Sequence, residues 1–206
     1  MPKLLLASTN RGKLVEMQDL LPDFDLILPQ ELSLRLDVEE TGATYAENAA
    51  LKAAAYFLAS KSTGTAGGLV TLADDSGLEV DCLGGAPGLH SARYSPHPGA
   101  TDADRRALLL QNLVPFPRPW TAHFHCTVAI AALGSEILFA DGDCPGEIIP
   151  QERGSNGFGY DPIFLLAAGH KGLTMAELSR AQKNLLSHRA RAVTAALPVL
   201  RRLLGA

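Results

Sequence analysis

Apolar residues along the chain fall into short runs, helical spacings and alternations, and each pattern predicts an element. Leu4-Leu5-Leu6-Ala7 is an unbroken apolar run of strand length and reads as a buried strand. After the polar stretch Ser8-Thr9-Asn10-Arg11-Gly12-Lys13, Leu14, Val15, Met17, Leu20 and Leu21 recur at helical spacing and stop at Pro22. A second strand is predicted over residues 24–28, with Pro29 in the loop behind it. Thr44-Tyr45-Ala46-Glu47 places a carboxylate three residues after a hydroxyl, the capping-box spacing, and opens an alanine-rich helix over residues 45–61. Residues 64–68 read as a flexible connector. The apolar run 69–73 then leads into Asp74-Asp75-Ser76-Gly77, and Leu78-Glu79-Val80-Asp81 alternates as a strand with one exposed face.

The second half continues in the same way. Thr101 to Asp104 is another capping motif, with a helix to Leu113, and Pro115, Pro117 and Pro119 then bar regular structure. Trp120, Ala122, Phe124, Cys126, Val128 and Ile130 alternate with Thr121, His123, His125 and Thr127, which predicts a strand over residues 120–133. Gly134-Ser135 signals a hairpin into a strand at residues 137–140. Ile163-Phe164-Leu165 reads as a strand. Thr174-Met175-Ala176-Glu177 predicts a helix running to residue 186. Ser187-His188-Arg189 caps a last helix that Pro198 is expected to kink.

Composition narrows the class. A chain of 206 residues with 47% apolar and 19% charged residues suits one globular domain, with room for two lobes. A net charge of -4 disfavours a general nucleic-acid binder but leaves room for a small anionic ligand. The odd number of cysteines, three, argues against a disulfide framework, and their spacing matches no metal motif. The N-terminal apolar run is too short for a signal peptide or a membrane span, so the expectation is a soluble cytoplasmic protein without a membrane partner.

Several stretches carry candidate chemistry, each with a plain structural alternative. Asp74 and Asp75 can hold a divalent cation or take a proton from water, yet Asp, Ser and Gly also make an ordinary turn. Ser8 to Lys13 could meet phosphate at a helix N-terminus, yet the stretch departs from the Walker A pattern and also reads as a Ser or Thr cap with a solvated lysine. Tyr45, Asn48 and Lys52 share one polar helix face, which either meets solvent or lines a cleft, while the capping box gives Glu47 a structural role. His123 and His125 sit two apart with no third ligand near, and read as exposed strand residues. Gly154 to Pro162 is a surface loop or a pocket wall, with Phe158 or Tyr160 stacking on a flat ring and Asp161 hydrogen-bonding.

Taken together and in order, four groups of residues resemble the inosine triphosphate pyrophosphatase family. They are Ser8-Thr9-Asn10 with Lys13; Glu40-Thr41-Gly42 with Glu47-Asn48-Ala49 and Lys52; Asp74-Asp75-Ser76-Gly77-Leu78; and Gly157-Phe158-Gly159-Tyr160-Asp161-Pro162 with Ser187-His188-Arg189. Ser91-Ala92-Arg93-Tyr94 fits as well, so the likeness runs from Leu4 to Ala192. The resemblance implies an α/β fold: a long central mixed sheet flanked by helices, in two lobes with an active-site cleft between them, all within a single domain over residues 1–206. It implies Mg2+-dependent hydrolysis of ITP, dITP or XTP to the nucleoside monophosphate and pyrophosphate, and a homodimer. By similarity Glu40 and Asp75 ligate Mg2+, and Asp75 also orients or deprotonates the attacking water. Ser8, Thr9, Asn10, Arg11, Gly12 and Lys13 cradle the triphosphate, Lys52 reaches the phosphates, and Ser76 and Lys183 contact the nucleotide. Phe158, with Gly159 and Tyr160 beside it, meets the base, and Asp161, His188 and Arg189 read its edge. Asp74, a strand neighbour of Asp75, should point to the opposite face and act behind it or stabilise a turn, whereas a turn at Ser76-Gly77 would leave room for both acids to serve. Two other readings are a Maf-type pyrophosphatase with different nucleotide preference and an idle nucleotide-binding module.

Overall fold

The computed structural model describes residues 1–63, 67–167 and 172–205; the first three residues of the 64–68 connector lie outside them. Its sheet has six strands: β1 (Lys3–Leu6), β2 (Asp25–Ile27), β3 (Thr71–Val80), β4 (Trp120–Ala131), β5 (Leu138–Ile148) and β6 (Phe164–Leu166). They lie in the order β2-β1-β3-β4-β5-β6. β1 runs parallel to β2 and to β3, whereas β5 and β6 are antiparallel, so the sheet is mixed. The helices are α1 (Arg11–Leu20), α2 (Tyr45–Ser60), α3 (Asp102–Leu113), α4 (Arg180–Leu186) and α5 (His188–Leu204). The expected α/β class, with helices flanking a mixed sheet, is what the chain adopts. Among the described residues no helix is long and apolar enough to cross a membrane, and the three cysteines form no disulfide.

The described residues divide into two compact units. The first comprises Met1–Asp75, Cys126–Gly142 and Ala190–Ala206. Its strands are buried on both faces. Leu4, Leu6 and Leu72 pack with Cys126, Val128 and Ile130 against Met17 of α1 and Val193, Ala196 and Leu200 of α5. Leu5, Ala7 and Ala73 pack on the other side against Ala49, Ala53, Tyr56 and Phe57 of α2. Two-sided burial explains why the alternation of β4 gives way, after Cys126, to continuous burial through Ala131. β2 is also shorter than residues 24–28, and Pro29 opens a 3-10 turn, Pro29–Leu32.

The second unit comprises Ser76–His125 and Asp143–Arg189. Leu78 and Val80 pack with Trp120, Ala122, Phe124, Leu109 and Leu113 in one core. The opposite face of these strands is polar, and its histidines are half-buried and paired rather than simply exposed. His123 Nε2 lies 3.4 Å from Glu79, and His125 Nδ1 lies 2.6 Å from Asp143.

Three local expectations change. The first helix is capped by Asn10, not by a Ser or Thr: its Oδ1 accepts from the N–H groups of Gly12 and Lys13. Of the Thr174–Glu177 box one half forms, Thr174 N–H donating to Glu177 Oε2 at 2.7 Å while the Thr174 hydroxyl donates to the Arg153 carbonyl, and it opens only a 3-10 turn, Met175–Glu177. α4 starts afterwards, on a second box in which Ser179 pairs with Gln182. Asp74-Asp75-Ser76-Gly77 is no turn at all, because β3 runs unbroken through it. α5 is continuous across Pro198.

Candidate active site

In the first unit, the strand geometry of β3 decides where the two acids point. β1 ends at Leu6, opposite Leu72, so Asp74 and Asp75 extend beyond its carboxyl end, the end at which α/β sheets bind ligands. Successive side chains of a strand alternate between faces. Asp74 follows Leu72 toward α1, where its Oδ2 lies 2.9 Å from Lys13 Nζ. Asp75 follows Ala73 toward α2, where its Oδ2 accepts a hydrogen bond from Asn48 Nδ2 at 3.2 Å, and its Oδ1 lies 3.6 Å from Lys52 Nζ. Lys52 Nζ donates to Glu40 Oε1 at 2.7 Å. Two hard carboxylate oxygens from distant parts of the chain therefore converge on one cationic centre.

Asn48 ties this cluster together, although the sequence marks it only as one member of a polar helix face and of a family motif, with no role of its own. It is 2% exposed, and while its amide nitrogen donates to Asp75, its Oδ1 accepts from Gly42 N–H at 2.8 Å. A Cβ at position 42 would fall 2.5 Å from Glu47 Cβ and 2.8 Å from Asn48 Oδ1, so only glycine lets the Glu40-Thr41-Gly42 segment come this close. Glu47 fills the role its spacing predicts, accepting from Thr44 N–H while Thr44 Oγ1 accepts from Glu47 N–H.

Electrostatics follow from the burial. Loss of water raises the Asp75 pKa, with Glu40 adding to the effect, and the attraction of Lys52 and Lys13 and the Asn48 hydrogen bond only partly offset it. A carboxylate held above its usual range is better suited to accept a proton near neutrality. Burial works against the Lys52 ammonium, but Asp74, Asp75 and Glu40 together hold its pKa above the ordinary value.

The stretch Ser8 to Lys13 is arranged differently from a ready phosphate cradle. Thr9, Asn10 and Arg11 are exposed, and Ser8 Oγ accepts from Asn10 N–H at 3.3 Å. Asn10 engages the N–H groups of Gly12 and Lys13, and Lys13 itself pairs with Asp74. Ser8, Thr9 and Arg11 offer a hydroxyl pair and a cation beside that capped turn.

The second unit gathers the remaining residues. Asp161, 3% exposed, accepts from Lys183 Nζ at 2.5 Å and from Phe158 N–H at 2.9 Å. Gly157 sits at φ +77°, and a Cβ there would fall 2.0 Å from Asp161 Oδ2, so the close turn onto this carboxylate requires glycine. Two cations lie over the Phe158 ring: Lys183 Nζ at 4.9 Å and Arg189 Cζ at 5.8 Å from its centroid. Arg189, 1% exposed, also donates to Ser76 Oγ at 3.0 Å. His188 is stacked on Phe124, with centroids 4.7 Å apart and planes 13° apart, which fixes the orientation of its ring. Tyr160 is not an available stacking ring. It is 4% exposed in the core, and its hydroxyl donates to the Ser91 carbonyl at 2.9 Å. Phe158, half-buried, is the aromatic of this loop that keeps accessible surface beside the cations.

No local signal points to Asp102 and Arg106, which hold the N–H and C=O of Gly159 from α3. A contact more than fifty residues apart leaves no local pattern.

Known proteins are similar to this chain over nearly its whole length. The chain is 43% identical to a dITP/XTP pyrophosphatase of Mannheimia succiniciproducens, covering 99% of this chain and 98% of that protein. It is also 43% identical to a dITP/XTP pyrophosphatase of Shigella flexneri, covering 98% and 99%. Among solved structures, a HAM1 protein from Coxiella burnetii superposes with a TM-score of 0.83 at 42% identity, over 98% of this chain and 100% of that one. The Staphylococcus aureus Ham1 protein gives a TM-score of 0.81 at 38% identity, over 97% and 98%. The sequence model of the Ham1 family matches residues 4–199, and with relatives this similar over nearly its whole length, the chain belongs to the Ham1 family.

Proposed function

We propose that the chain is a nucleoside triphosphate pyrophosphatase. It hydrolyses ITP, dITP and XTP to the nucleoside monophosphate and pyrophosphate, and so removes non-standard purine nucleotides from the pool. The observation that carries the reading is the buried Asp75 carboxylate, held by Asn48 and set with Glu40 on Lys52. The names of the relatives supply the substrate class.

The donor set fits Mg2+. Glu40 and Asp75 are hard oxygen ligands whose oxygens already face one cation, Lys52. Among the described residues no group of three His, Cys, Asp or Glu side chains could hold a metal. Two carboxylates suffice for Mg2+, which keeps water and substrate phosphate in the rest of its shell. When bound there, Mg2+ neutralises charge on the phosphate oxygens. The protein groups do the rest. Asp75 takes a proton from the water that attacks across the α–β anhydride, and pyrophosphate leaves as that bond breaks. Lys52 meets the negative charge that builds on the phosphates, and Lys13 pairs with Asp74 behind the site. Ser8, Thr9 and Arg11 contact the distal phosphates, with Asn10, Gly12 and Lys13 shaping the turn beneath them.

The base is the business of the second unit. Phe158 supplies the stacking face. His188 and Arg189 donate to the O6 acceptor of a 6-keto purine. Adenine presents a donor there and would leave a buried arginine without its acceptor, a mismatch that discriminates more strongly than shape. Asp161 and Lys183 act as a pair at the base edge. Ser76 sets the Arg189 guanidinium.

A panel of nucleoside triphosphates, with released pyrophosphate as the readout, tests the reading. ITP, dITP and XTP should be cleaved in preference to ATP, dTTP and UTP. A preference for pyrimidines would favour a Maf-type enzyme, and binding of ITP without pyrophosphate release would leave only a binding module. The same reading makes residues 1–206 one catalytic domain acting in the cytoplasm as a homodimer, and light scattering on the purified protein checks the assembly.

A further inference from the structure

The loop that carries Phe158 is fixed from outside by α3. Gly159 N–H donates to Asp102 Oδ2 at 2.7 Å, and Gly159 C=O accepts from Arg106 Nη1 at 2.8 Å. Asp102 and Arg106 are four residues apart and so share one face of α3. Each is itself held. Arg105 bonds the other oxygen of Asp102. The remaining edge of Arg106 makes a two-bond fork with Glu152, at 2.8 and 2.9 Å, which fixes the plane of the guanidinium. Burial alone would lift the Asp102 carboxyl, but the bonds from Arg105 and Gly159 N–H bring its pKa below the ordinary value, so it accepts as a carboxylate.

Three of the four backbone polar groups of Phe158 and Gly159 are thereby pinned by side chains: Phe158 N–H by Asp161, Gly159 N–H by Asp102 and Gly159 C=O by Arg106. Gly159 sits at φ +62°, so the peptide that these groups grip follows directly on the Phe158 side chain in a tight turn. A ring free to swing could still stack on any base. A ring held at a set height fixes where the edge of a stacked base meets Arg189 and Lys183, which lie over the same ring.

We propose that Asp102 and Arg106 are positioning residues for base selection: by bonding both the N–H and the C=O of Gly159, and so the two peptide units that flank it, they set the Phe158 platform against which 6-keto and 6-amino purines are told apart. The inference rests on the base-reading role proposed above for Phe158 and Arg189. It assigns selectivity to two residues that need not touch the nucleotide.

The test compares wild type with Arg106→Met, Arg106→Lys and Asp102→Ala, using steady-state pyrophosphate release from ITP and from ATP. Arg106→Met should raise KM for ITP about tenfold while kcat stays within about threefold, and should lower the ITP-to-ATP ratio of kcat/KM about tenfold. Arg106→Lys, which keeps a donor within reach of the Gly159 carbonyl, should recover most of that ratio. A second readout needs no substrate: amide hydrogen exchange at Phe158 and Gly159 should accelerate in Arg106→Met and in Asp102→Ala while β3 and β4 stay protected. Should Arg106→Met fail to fold, Asp102→Ala carries both measurements. A wild-type preference for ITP that persists unchanged in the variants overturns the positioning role alone, as does unchanged exchange at Gly159. A wild type with no preference for ITP over ATP overturns the base-selection role together with the function on which it rests.

Discussion

Replacing Asn48 with alanine tests how Asp75 is held. The amide makes two bonds in a buried place, accepting from Gly42 N–H at 2.8 Å and donating to Asp75 Oδ2 at 3.2 Å. Alanine removes both at once. A hydrogen bond to an ionised group is worth about 1.5–3 kcal/mol, and a buried N–H left without a partner costs about 1–3 kcal/mol. The two together centre on a loss of about 4 kcal/mol. In a chain of this length each kcal/mol moves Tm by about 2–4 °C, so Tm should fall by about 8–16 °C. The bond to Asp75 matters separately for turnover. If it keeps the carboxylate aimed at the water, losing about 1.5–3 kcal/mol from the transition state lowers kcat about ten- to a hundredfold. Asn48→Asp should lower kcat at least as far, because a like charge replaces the donor facing Asp75. The assays are pyrophosphate release from saturating ITP and a thermal melt followed by circular dichroism. An alanine variant with kcat within about threefold of wild type would refute the argument that Asn48 positions Asp75.

Three other outcomes follow from the same geometry. Asp75→Asn should lower turnover about 10^2–10^4-fold with an unchanged circular dichroism spectrum. The folded-state pKa of Asp75 is raised, so its contribution to stability is fully present below the unfolded value and lost as pH rises through the folded value. Asp75→Asn should therefore melt no lower than wild type at about pH 8, with its relative gain vanishing toward about pH 4; a lower Tm at the alkaline end would contradict the assigned direction. Phe158→Ala should raise KM for ITP by the worth of one stacked base, about 1–3 kcal/mol, with kcat little changed, and an unaltered KM would remove Phe158 from the base site. Gly157→Ala forces a side chain onto Asp161 Oδ2 at a positive φ, at a cost of about 1–3 kcal/mol, and should lower Tm and raise KM together.

Much of the fold and part of the site could be read from the residues, because their signals are local. The apolar run at β1, the capping box at Thr44 and Glu47, and the one at Thr101 and Asp104 rest on contacts within a few residues. That Asp74 and Asp75 point to opposite faces also followed from strand alternation, and Lys13 and Asn48 now mark the two faces. The misreadings came where two local signals compete or where a distant neighbour decides. Asp, Ser and Gly favour a turn by their own chemistry, but β3 is a central strand between β1 and β4, and ladder pairing overrides that preference. Thr174 and Ser179 each head the spacing of a capping box, and nothing local tells which one starts the longer helix. Tyr160 looks as free to stack as Phe158 until Ser91, distant in sequence, takes its hydroxyl. Asn48 with Asp75, and Asp102 and Arg106 with Gly159, are pairs that only the folded chain assembles.

The alternation at Asp74 and Asp75 has a consequence for how such a chain can vary. Thr71 is fixed opposite Leu5, so each position after it is assigned a face by counting. Deleting one residue between Thr71 and Asp74 would hand Lys13 the carboxylate meant for Lys52 and leave Ser76 facing Asn48. Inserting one would turn Asp74 toward Lys52 and strip Lys13 of its partner. Inserting two would restore both faces but push the acids about 7 Å along the strand, away from both lysines. Substitutions in this stretch can be absorbed by repacking, whereas any change of length breaks the site, so drift here should alter letters and never their number.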